Sequence, residues 1–301
     1  MCIRDRVCAV GDTKPPVGYK ILGAINNDEC DILIHMGDMS YISNDGGCYN
    51  EAQQSQNQCL YNCSADCMWQ YRQTDERWEA WKIFFENVEL GTIPLVTQAG
   101  NHDNDLFWLY KFKPVSSIEL NDKFFYWGSR IVPGLSILSV STEDNFNNPY
   151  ERYLGGDVDL ARWEHNYGVN SPQHVYMKAF IKDVPREDIL IVYTHRPLFH
   201  TSSHHPDCLH GGSWYKCNVR KHWGPLLDRA DLVLSGHSHH YMKSRPSKLR
   251  ESGLENGNTT FIVVGTGGYE LTHGLHHDPH VLELSGENFG YVNGREFKIL
   301  P

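Results

Sequence analysis

The chain has 301 residues, of which 40% are hydrophobic, so it can form one large domain or two small ones around a sizeable core. Its formal net charge of -10 argues against a protein that binds nucleic acid through its overall field. Any phosphate-bearing ligand would therefore need local positive charge, and bound metal ions are the strongest source of it. No apolar stretch approaches the roughly 18 residues that a membrane-spanning helix requires.

Seven short apolar runs, each bounded by glycine, aspartate or proline, predict strands that are buried on both faces. Helical segments are predicted at 74–89, where large apolar residues recur at helical spacing, and at 159–183, with an interruption near 168–172. Strands that alternate with helices indicate an α/β fold. The predicted strands are 7–10, 32–35, 94–97, 135–140, 189–193, 232–234 and 261–264.

Five of these runs are followed at once by residue types that bind metal ions. Loops at the carboxyl ends of parallel strands face one shared crevice, so we expect these side chains to converge. Seven candidate ligands suffice for two metal ions, whereas a single site needs only three or four protein ligands. The five segments are Gly11-Asp12, Gly37-Asp38-Met39-Ser40-Tyr41, Gly100-Asn101-His102-Asp103, Thr194-His195 and Gly236-His237-Ser238-His239.

Each motif taken alone has an ordinary structural explanation. A Gly-Asp pair is a common turn signal, and a single histidine such as His195 at a strand end is more often structural. Two histidines separated by one residue, His237 and His239, are more specific for a metal. Tyr41 is an unusual ligand, because a phenol loses its proton near neutral pH only beside a hard, highly charged ion such as Fe(III).

The nine cysteines favour an oxidised, secreted protein. Without Cys2 their number is even, and two glycosylation sequons begin at Asn62 and Asn258. Free thiols in a cytosolic enzyme are one alternative. A zinc knuckle is another, although the spacing lacks the close pairs typical of structural zinc. The remaining cysteines are Cys8, Cys30, Cys48, Cys59, Cys63, Cys67, Cys208 and Cys217.

Taken together, the segments GDT, GDMSY, GNHD, VYTH and GHSH resemble the purple acid phosphatase family of binuclear metallophosphoesterases, within the calcineurin-like phosphoesterase superfamily. The resemblance extends from Gly11 to about Tyr269 and includes YMKSRP and GTGGYE after the last motif. Many other metallophosphoesterases carry a histidine two residues after the first aspartate, where this chain has Lys14. Lys14 also replaces a glycine that is frequent in the family, so the shape of that loop is open.

The resemblance implies a fold and two metal sites. The implied fold is a four-layer α/β/β/α sandwich with two mixed β-sheets flanked by helices. Fe(III) would be bound by Asp12, Asp38, Tyr41 and His239. A divalent ion, which could be iron, zinc or manganese, would be bound by Asp38, Asn101, His195 and His237, with Asp38 bridging the two ions.

The resemblance also implies an acid phosphatase that hydrolyses phosphate monoesters through attack by a metal-bound hydroxide. His102 would protonate the leaving group, and His204 and His205 would line the pocket, unless the latter two belong to a solvated loop. Asp103 either orients His102 or is a turn residue. The alternatives are a phosphodiesterase or protein phosphatase, a metal-bearing secreted protein that only binds a partner, or redox chemistry at the iron.

The domain organisation is expected to be simple. Residues 1–6, MCIRDR, match the translation of a sequencing adapter, so we expect a non-native leader. Residues 7–301 form the expected catalytic domain, with a Cys-rich insertion at about 44–68. On this interpretation a signal peptide is missing, and the protein is secreted or resides in a lysosome-like or vacuole-like compartment. The expected partner is a small phosphate ester. The oligomeric state is open.

Overall fold

The computed structural model describes part of the chain: residues 6–14, 16–39, 86, 93–100, 103, 126–142, 167–199, 214–245, 259–272, 275, 281–294 and 296–300. The Cys-rich insertion at about 44–68 lies outside the described residues. So do the first part of the helix predicted at 159–183 and all of the helix predicted at 74–89 except Glu86, which is helical.

The described part of the chain contains twelve strands and three helices of more than one turn. We number them in chain order. They are β1 (Val7–Val10), α1 (Val17–Asn27), β2 (Ile32–His35), β3 (Leu95–Thr97), β4 (Trp127–Val132), β5 (Leu135–Ser139), α2 (Pro172–Asp183), β6 (Ile189–Thr194), α3 (Trp214–Leu227), β7 (Leu232–Ser235), β8 (Tyr241–Ser244), β9 (Thr260–Val264), β10 (Val281–Ser285), β11 (Gly290–Asn293) and β12 (Glu296–Ile299).

The strands form two mixed sheets. The five-stranded sheet has the order β12-β11-β1-β2-β3, and β1, β2 and β3 run parallel. The seven-stranded sheet has the order β10-β8-β9-β7-β6-β5-β4, with a parallel centre of β9, β7, β6 and β5. All seven predicted strands are confirmed, with bounds that differ by one residue at most. They include every parallel strand of both sheets.

The two sheets pack face to face. Alternate residues of β1 and β2, such as Ala9 and Ile34, join Ile191, Leu234 and Ile262 of the larger sheet in one buried cluster. The opposite face of the smaller sheet packs on α1, and the opposite face of the larger sheet packs on α2 and α3. The predicted sandwich of two mixed sheets flanked by helices is therefore confirmed.

The helix α1 was not predicted from the sequence. It buries Gly18, Ile21, Leu22 and Ile25, which recur at helical spacing, against the smaller sheet. Gly18 lies at a close approach, because a Cβ there would come within 2.8 Å of the Gly267 carbonyl oxygen. Packing against the sheet, rather than intrinsic helix propensity, holds this glycine-containing segment helical.

The interruption predicted near 168–172 is the start of α2. Ser171 is its N-cap, and the Ser171 side chain accepts a hydrogen bond from the His174 backbone N–H at 3.1 Å. Pro172 follows in the first turn, where a missing N–H costs nothing.

A disulfide links Cys8 in β1 to Cys30, just before β2, across 22 residues. The other cysteine side chains lie outside the described residues. None of the described helices has both the length and the apolar character needed to cross a membrane.

Candidate metal centre

The five predicted ligands that the structure describes meet where the carboxyl ends of both sheets' parallel strands come together. The carboxylates come from the smaller sheet: Asp12 follows β1, and Asp38 follows β2. The imidazoles come from the larger sheet: His195 follows β6, and His237 and His239 follow β7. The crevice therefore lies between two sheets, not along the edge of a single one.

Asp38, His195 and His237 form a compact group. Each offers one ligand atom, and these three atoms lie within 4.8 Å of one another. All three residues are buried, and Nε2 of His195 lies 3.3 Å from a carboxylate oxygen of Asp38. The rings of His195 and His237 stand edge to face with their centres 5.0 Å apart. One carboxylate oxygen and two imidazole nitrogens suit a divalent transition metal ion.

The ring of His195 is oriented for coordination. Its Nδ1 donates a hydrogen bond to the backbone carbonyl of Met36 at 2.7 Å, because a carbonyl oxygen can only accept. The proton of the neutral ring is thus on Nδ1, and Nε2 presents its lone pair toward Asp38. This is the outer hydrogen bond that fixes the tautomer of metal-binding histidines.

Asp12 and His239 form a second group beside the first. Nε2 of His239 lies 3.5 Å from one carboxylate oxygen of Asp12, and the other oxygen accepts a 2.7 Å hydrogen bond from the backbone N–H of His237. Burial lowers the pKa of His239, but the hydrogen bond and charge of Asp12, with the charge of Asp38, raise it above its usual value overall. An anionic crevice that favours a proton on His239 also favours a metal cation in the proton's place.

These two groups correspond to the division that the resemblance implies, with Asp12 and His239 on one side and Asp38, His195 and His237 on the other. The assignment of these residues as ligands stays a prediction.

The backbone at the site adopts an uncommon conformation. Asp12, Asp38 and His237 have φ values of 60°, 55° and 64°, in the left-handed region that non-glycine residues rarely enter. Glu29 is the other non-glycine residue with positive φ in the described part of the chain. Such conformations cost roughly 1–3 kcal/mol each and cluster at functional sites.

Glycines beside the ligands leave room for the carboxylates. A Cβ at Gly236 would lie 2.6 Å from a carboxylate oxygen of Asp12, and a Cβ at Gly100 would overlap the carboxylate of Asp38. A Cβ at Gly37 would approach Nδ1 of His195 to 2.8 Å. The glycine in each motif thus allows the backbone to pack directly against a predicted ligand.

Asp103 joins the two ligand loops of the smaller sheet. Its carboxylate, which is completely buried, accepts hydrogen bonds from the backbone N–H groups of Met39 at 2.8 Å and Gly100 at 2.9 Å. It therefore holds the loop that carries Asp38 against the loop that carries Asn101. From the sequence, Asp103 was either a turn residue or a partner of His102. Its bond to Met39 could not be predicted, because Met39 lies 64 residues away along the chain.

The profile of the calcineurin-like phosphoesterase family matches residues 16–241, well over half of the chain. The chain belongs to the calcineurin-like phosphoesterase family. The family consists of metallophosphoesterase hydrolases, and its binuclear members bind two metal ions. We therefore expect a binuclear metal centre in this crevice.

Solved structures with this fold cover nearly the whole of this phosphoesterase. A purple acid phosphatase from seeds of yellow lupin (Lupinus luteus) aligns with a TM-score of 0.59 at 14% identity over 96% of the chain. The alignment covers 48% of the lupin enzyme, so the chain spans about half of that protein's length. A dimetal phosphatase from Danio rerio aligns with a TM-score of 0.52 at 10% identity, over 86% of each chain.

A third neighbour is GAP50 of Plasmodium, described as the anchor in the inner membrane complex. It aligns with a TM-score of 0.56 at 18% identity, over 96% of this phosphoesterase and 80% of GAP50. At these identities the similarities show the fold alone.

Arg196 is a site residue that sequence reasoning missed. Its Nη1 lies 3.0 Å from Nε2 of His237, and its backbone N–H donates to the hydroxyl of Thr142 at 2.8 Å. Thr142 lies just after β5, the strand beside β6, so the neighbouring strand's loop holds the backbone of Arg196 in place. Its position directly after a predicted ligand was the available signal.

His35 lies behind the site at the end of β2. It is completely buried, and its Nε2 lies 3.1 Å from the hydroxyl of Thr13. Burial lowers its pKa to about 3, so the ring is neutral at any ordinary pH. A neutral ring does not compete with a metal cation for the nearby carboxylates.

The other predicted site residues lie outside the described residues. They are Tyr41, Asn101, His102, His204 and His205, and their roles stay predictions.

Proposed function

We propose that this phosphoesterase is an acid phosphatase that hydrolyses phosphate monoesters at a centre of Fe(III) and a divalent ion. The observation that carries the proposal is the division of the described side chains into two adjoining groups. Asp12 with His239 forms one, and Asp38 with His195 and His237 forms the other. Two cations would activate a water molecule for attack on phosphorus and would offset the charge of the phosphate oxygens.

The chain's own residues would set the identity of each ion. On the side of Asp12, a second carboxylate and the Tyr41 phenol would supply hard anionic oxygens, which favour a trivalent ion. On the side of His195 and His237, imidazoles and the Asn101 amide would leave a divalent ion more electrophilic. The carboxylate of Asp38 has two oxygens and would bridge them.

Colour tests the ferric half of the proposal. A Tyr41 phenolate bound to Fe(III) absorbs visible light by charge transfer, so the active enzyme should be coloured. Tyr41→Phe should abolish the visible band while the protein stays folded. A colourless wild-type protein that is loaded with iron and active would contradict the assignment, as would colour that persists in Tyr41→Phe.

Turnover of p-nitrophenyl phosphate across acidic and neutral pH, with metal analysis on the same sample, tests the reaction. We expect two metal ions per chain and hydrolysis that is fastest at acidic pH. Parallel assays with bis(p-nitrophenyl) phosphate and a phosphoserine peptide distinguish a monoesterase from a phosphodiesterase or a protein phosphatase. Faster hydrolysis of either alternative substrate would redirect the proposal within the same family.

A non-catalytic binding protein is the second candidate. The fold that the chain shares with the Plasmodium anchor GAP50 supports considering it. Full metal occupancy without turnover of any of the three substrates would favour this candidate over the phosphatase.

The leaving group requires a proton donor, and we assign this role to His102. We assign His204 and His205 to binding of the substrate at the pocket mouth. His102→Ala should lower kcat, whereas His204→Ala and His205→Ala should mainly raise KM. An unchanged kcat in His102→Ala would remove it from the mechanism.

We further propose that the protein works in an oxidising compartment, either secreted or inside a lysosome-like or vacuole-like organelle. The buried disulfide between Cys8 and Cys30 supports this, because such bonds are rare in the cytosol. Expression of the full-length gene with a C-terminal tag and localisation of the product would test it.

A further inference from the structure

We infer that Arg196 binds the phosphate group of the substrate and that metal loading releases it for this task. The inference rests on the proposed phosphate-ester chemistry and adds a residue and a coupling to it. It begins from one contact: Nη1 of Arg196 lies 3.0 Å from Nε2 of His237, a predicted ligand of the divalent ion.

This contact has only one possible direction. A guanidinium group has five N–H donors and no acceptor, so Arg196 donates and Nε2 of His237 accepts with its lone pair. A neutral imidazole has one protonated and one unprotonated nitrogen. While this contact is made, Nδ1 therefore carries the proton, and neither ring nitrogen has a lone pair left for a metal ion.

Metal binding to His237 therefore excludes the contact. If the ion binds Nε2, it takes the lone pair that accepts from Arg196. If the ion binds Nδ1, the proton of the neutral ring moves to Nε2, which then becomes a donor that faces another donor. In both cases the guanidinium must leave His237 when the group formed with Asp38 and His195 takes up its ion.

The structure limits where the guanidinium can go. The backbone N–H of Arg196 donates to the Thr142 hydroxyl at 2.8 Å, and that hydroxyl also accepts from Thr194 at 3.1 Å. Gln173 of α2 makes two further hydrogen bonds to the backbone of Ser141. These bonds hold the main chain, so Arg196 leaves His237 through a change of its side-chain conformation and not of its backbone.

An anion between a guanidinium and a nearby metal cation stabilises both, because the two positive charges otherwise repel. A phosphate group in the crevice supplies this anion. The planar fork of arginine matches two phosphate oxygens at once. Arg196 is partly exposed, in contrast to the buried His195 and His237 beside it, so its guanidinium is the positive group of the site that retains contact with solvent.

The test measures binding of inorganic phosphate and of zinc separately from turnover. Isothermal titration of phosphate into zinc-loaded wild type, Arg196→Ala and Arg196→Lys gives the phosphate affinities. Competition with a chelating dye gives the zinc affinities. We expect Arg196→Ala to bind phosphate roughly ten- to one-hundred-fold more weakly, the usual cost of losing charged hydrogen bonds. Arg196→Lys keeps the positive charge but lacks the planar guanidinium. Its phosphate affinity should therefore lie between those of wild type and Arg196→Ala.

Zinc affinity provides the second readout. Arg196→Ala should bind zinc as tightly as wild type or more tightly, because the competing hydrogen bond to His237 is gone. Metal-free wild type should bind phosphate far more weakly than the zinc-loaded protein. Arg229→Ala is the matched control, since Arg229 lies near the amino ends of the strands and bonds to the Pro185 carbonyl. It should leave both affinities unchanged.

Three results would overturn the inference: unchanged phosphate affinity in Arg196→Ala, loss of zinc binding in that variant, or equal phosphate affinity with and without zinc. Loss of zinc binding would make Arg196 a residue that positions His237. If Arg196→Ala does not fold, Arg196→Gln carries the same expectations. Failure of the proposed function looks different: wild type would bind phosphate as expected but hydrolyse no ester.

Discussion

Two completely buried aspartates lie at opposite ends of the strands, and they are neutralised in different ways. Asp188 precedes β6 and accepts hydrogen bonds from Nε and Nη2 of Arg130 at 2.8 and 2.7 Å, from the Gly134 N–H and from the Ser136 hydroxyl. Asp38 follows β2, and its carboxylate converges with the imidazoles of His195 and His237. Asp188 is thus paired with an arginine of the protein itself, whereas Asp38 lies among predicted metal ligands.

The two ends of the strands thus serve different purposes, one for stability and the other for the proposed function. At the amino ends, a full set of protein donors makes the buried charge part of the scaffold and needs nothing from outside. At the carboxyl ends, carboxylates and imidazoles accumulate in strained backbone, an arrangement that an added cation stabilises. Replacing each aspartate by asparagine should therefore separate metal binding from folding.

The largest effect is expected for Asp38→Asn. Loss of the proposed bridge should weaken metal binding by more than about a hundred-fold, since even substitutions of outer-shell residues cost 10–100-fold. Turnover of p-nitrophenyl phosphate should fall with it. Metal content by elemental analysis and the urea midpoint of the metal-free protein are the measurements. The midpoint should not fall, and a metal content equal to wild type would contradict the bridging role.

Asp188→Asn should show the reverse pattern. An amide in place of the buried carboxylate loses the charge that pairs with Arg130 and weakens the hydrogen bonds from the Gly134 N–H and the Ser136 hydroxyl, so Tm should drop by roughly 5 °C or more. Metal content and turnover per folded molecule should stay at the wild-type level. Asp183→Asn, an exposed site at the end of α2, is the matched control and should leave Tm unchanged. Loss of metal from Asp188→Asn would erase the contrast between the two ends.

Asp103→Asn tests the clamp between the ligand loops. Both carboxylate oxygens of Asp103 accept a backbone hydrogen bond, one from Met39 and one from Gly100. An asparagine amide has only one oxygen, so it can accept one of these bonds, and its NH2 group faces the other N–H. Metal affinity should fall by about ten-fold or more, as for other outer-shell substitutions. Chelator titration measures it. An affinity within two-fold of wild type would reduce Asp103 to a turn residue.

The pH dependence of stability should reveal the two buried histidines near the site, His35 and His240. Burial lowers the pKa of each to about 3, below the value of about 6.5 in an unfolded chain. The unfolded state therefore binds more protons between these limits, and the free energy of unfolding falls as pH falls through this window. The slope is about 1.4 kcal/mol per pH unit for each histidine.

Urea unfolding of the metal-free protein from neutral to acidic pH measures this slope. Among the described residues, His240 has no hydrogen-bond partner on either ring nitrogen, so His240→Leu should remove its share of the slope without losing any of the described bonds. A slope that is unchanged in His240→Leu would contradict the assignment. Asp188 behaves differently: its hydrogen bond to Arg130 lowers its pKa, so its contribution persists until the pH falls below about 4.

The sequence predicted the central strands well because parallel strands buried on both faces appear as continuous apolar runs. It did not predict β4, β8, β10, β11 and β12, which are the strands that pair only antiparallel in the two sheets. Their sequences mix polar and apolar residues, as in VLELS of β10, and no run stands out. It also missed α1, whose two glycines weaken the helical signal and whose stability comes from the sheet beneath it.

The order of residues along the chain sets which chemical groups stand at each strand end. The types Asp, Asn, His and Tyr, and their place after apolar runs, follow from local order along the chain. Which predicted ligands face one another depends on how two separate sheets stack, and this becomes visible in the fold alone. Carboxylates from the smaller sheet meet imidazoles from the larger one, Asp103 fixes one loop to another, and Arg196 reaches His237 from 41 residues away in sequence. These contacts join distant segments, so no local pattern could encode them.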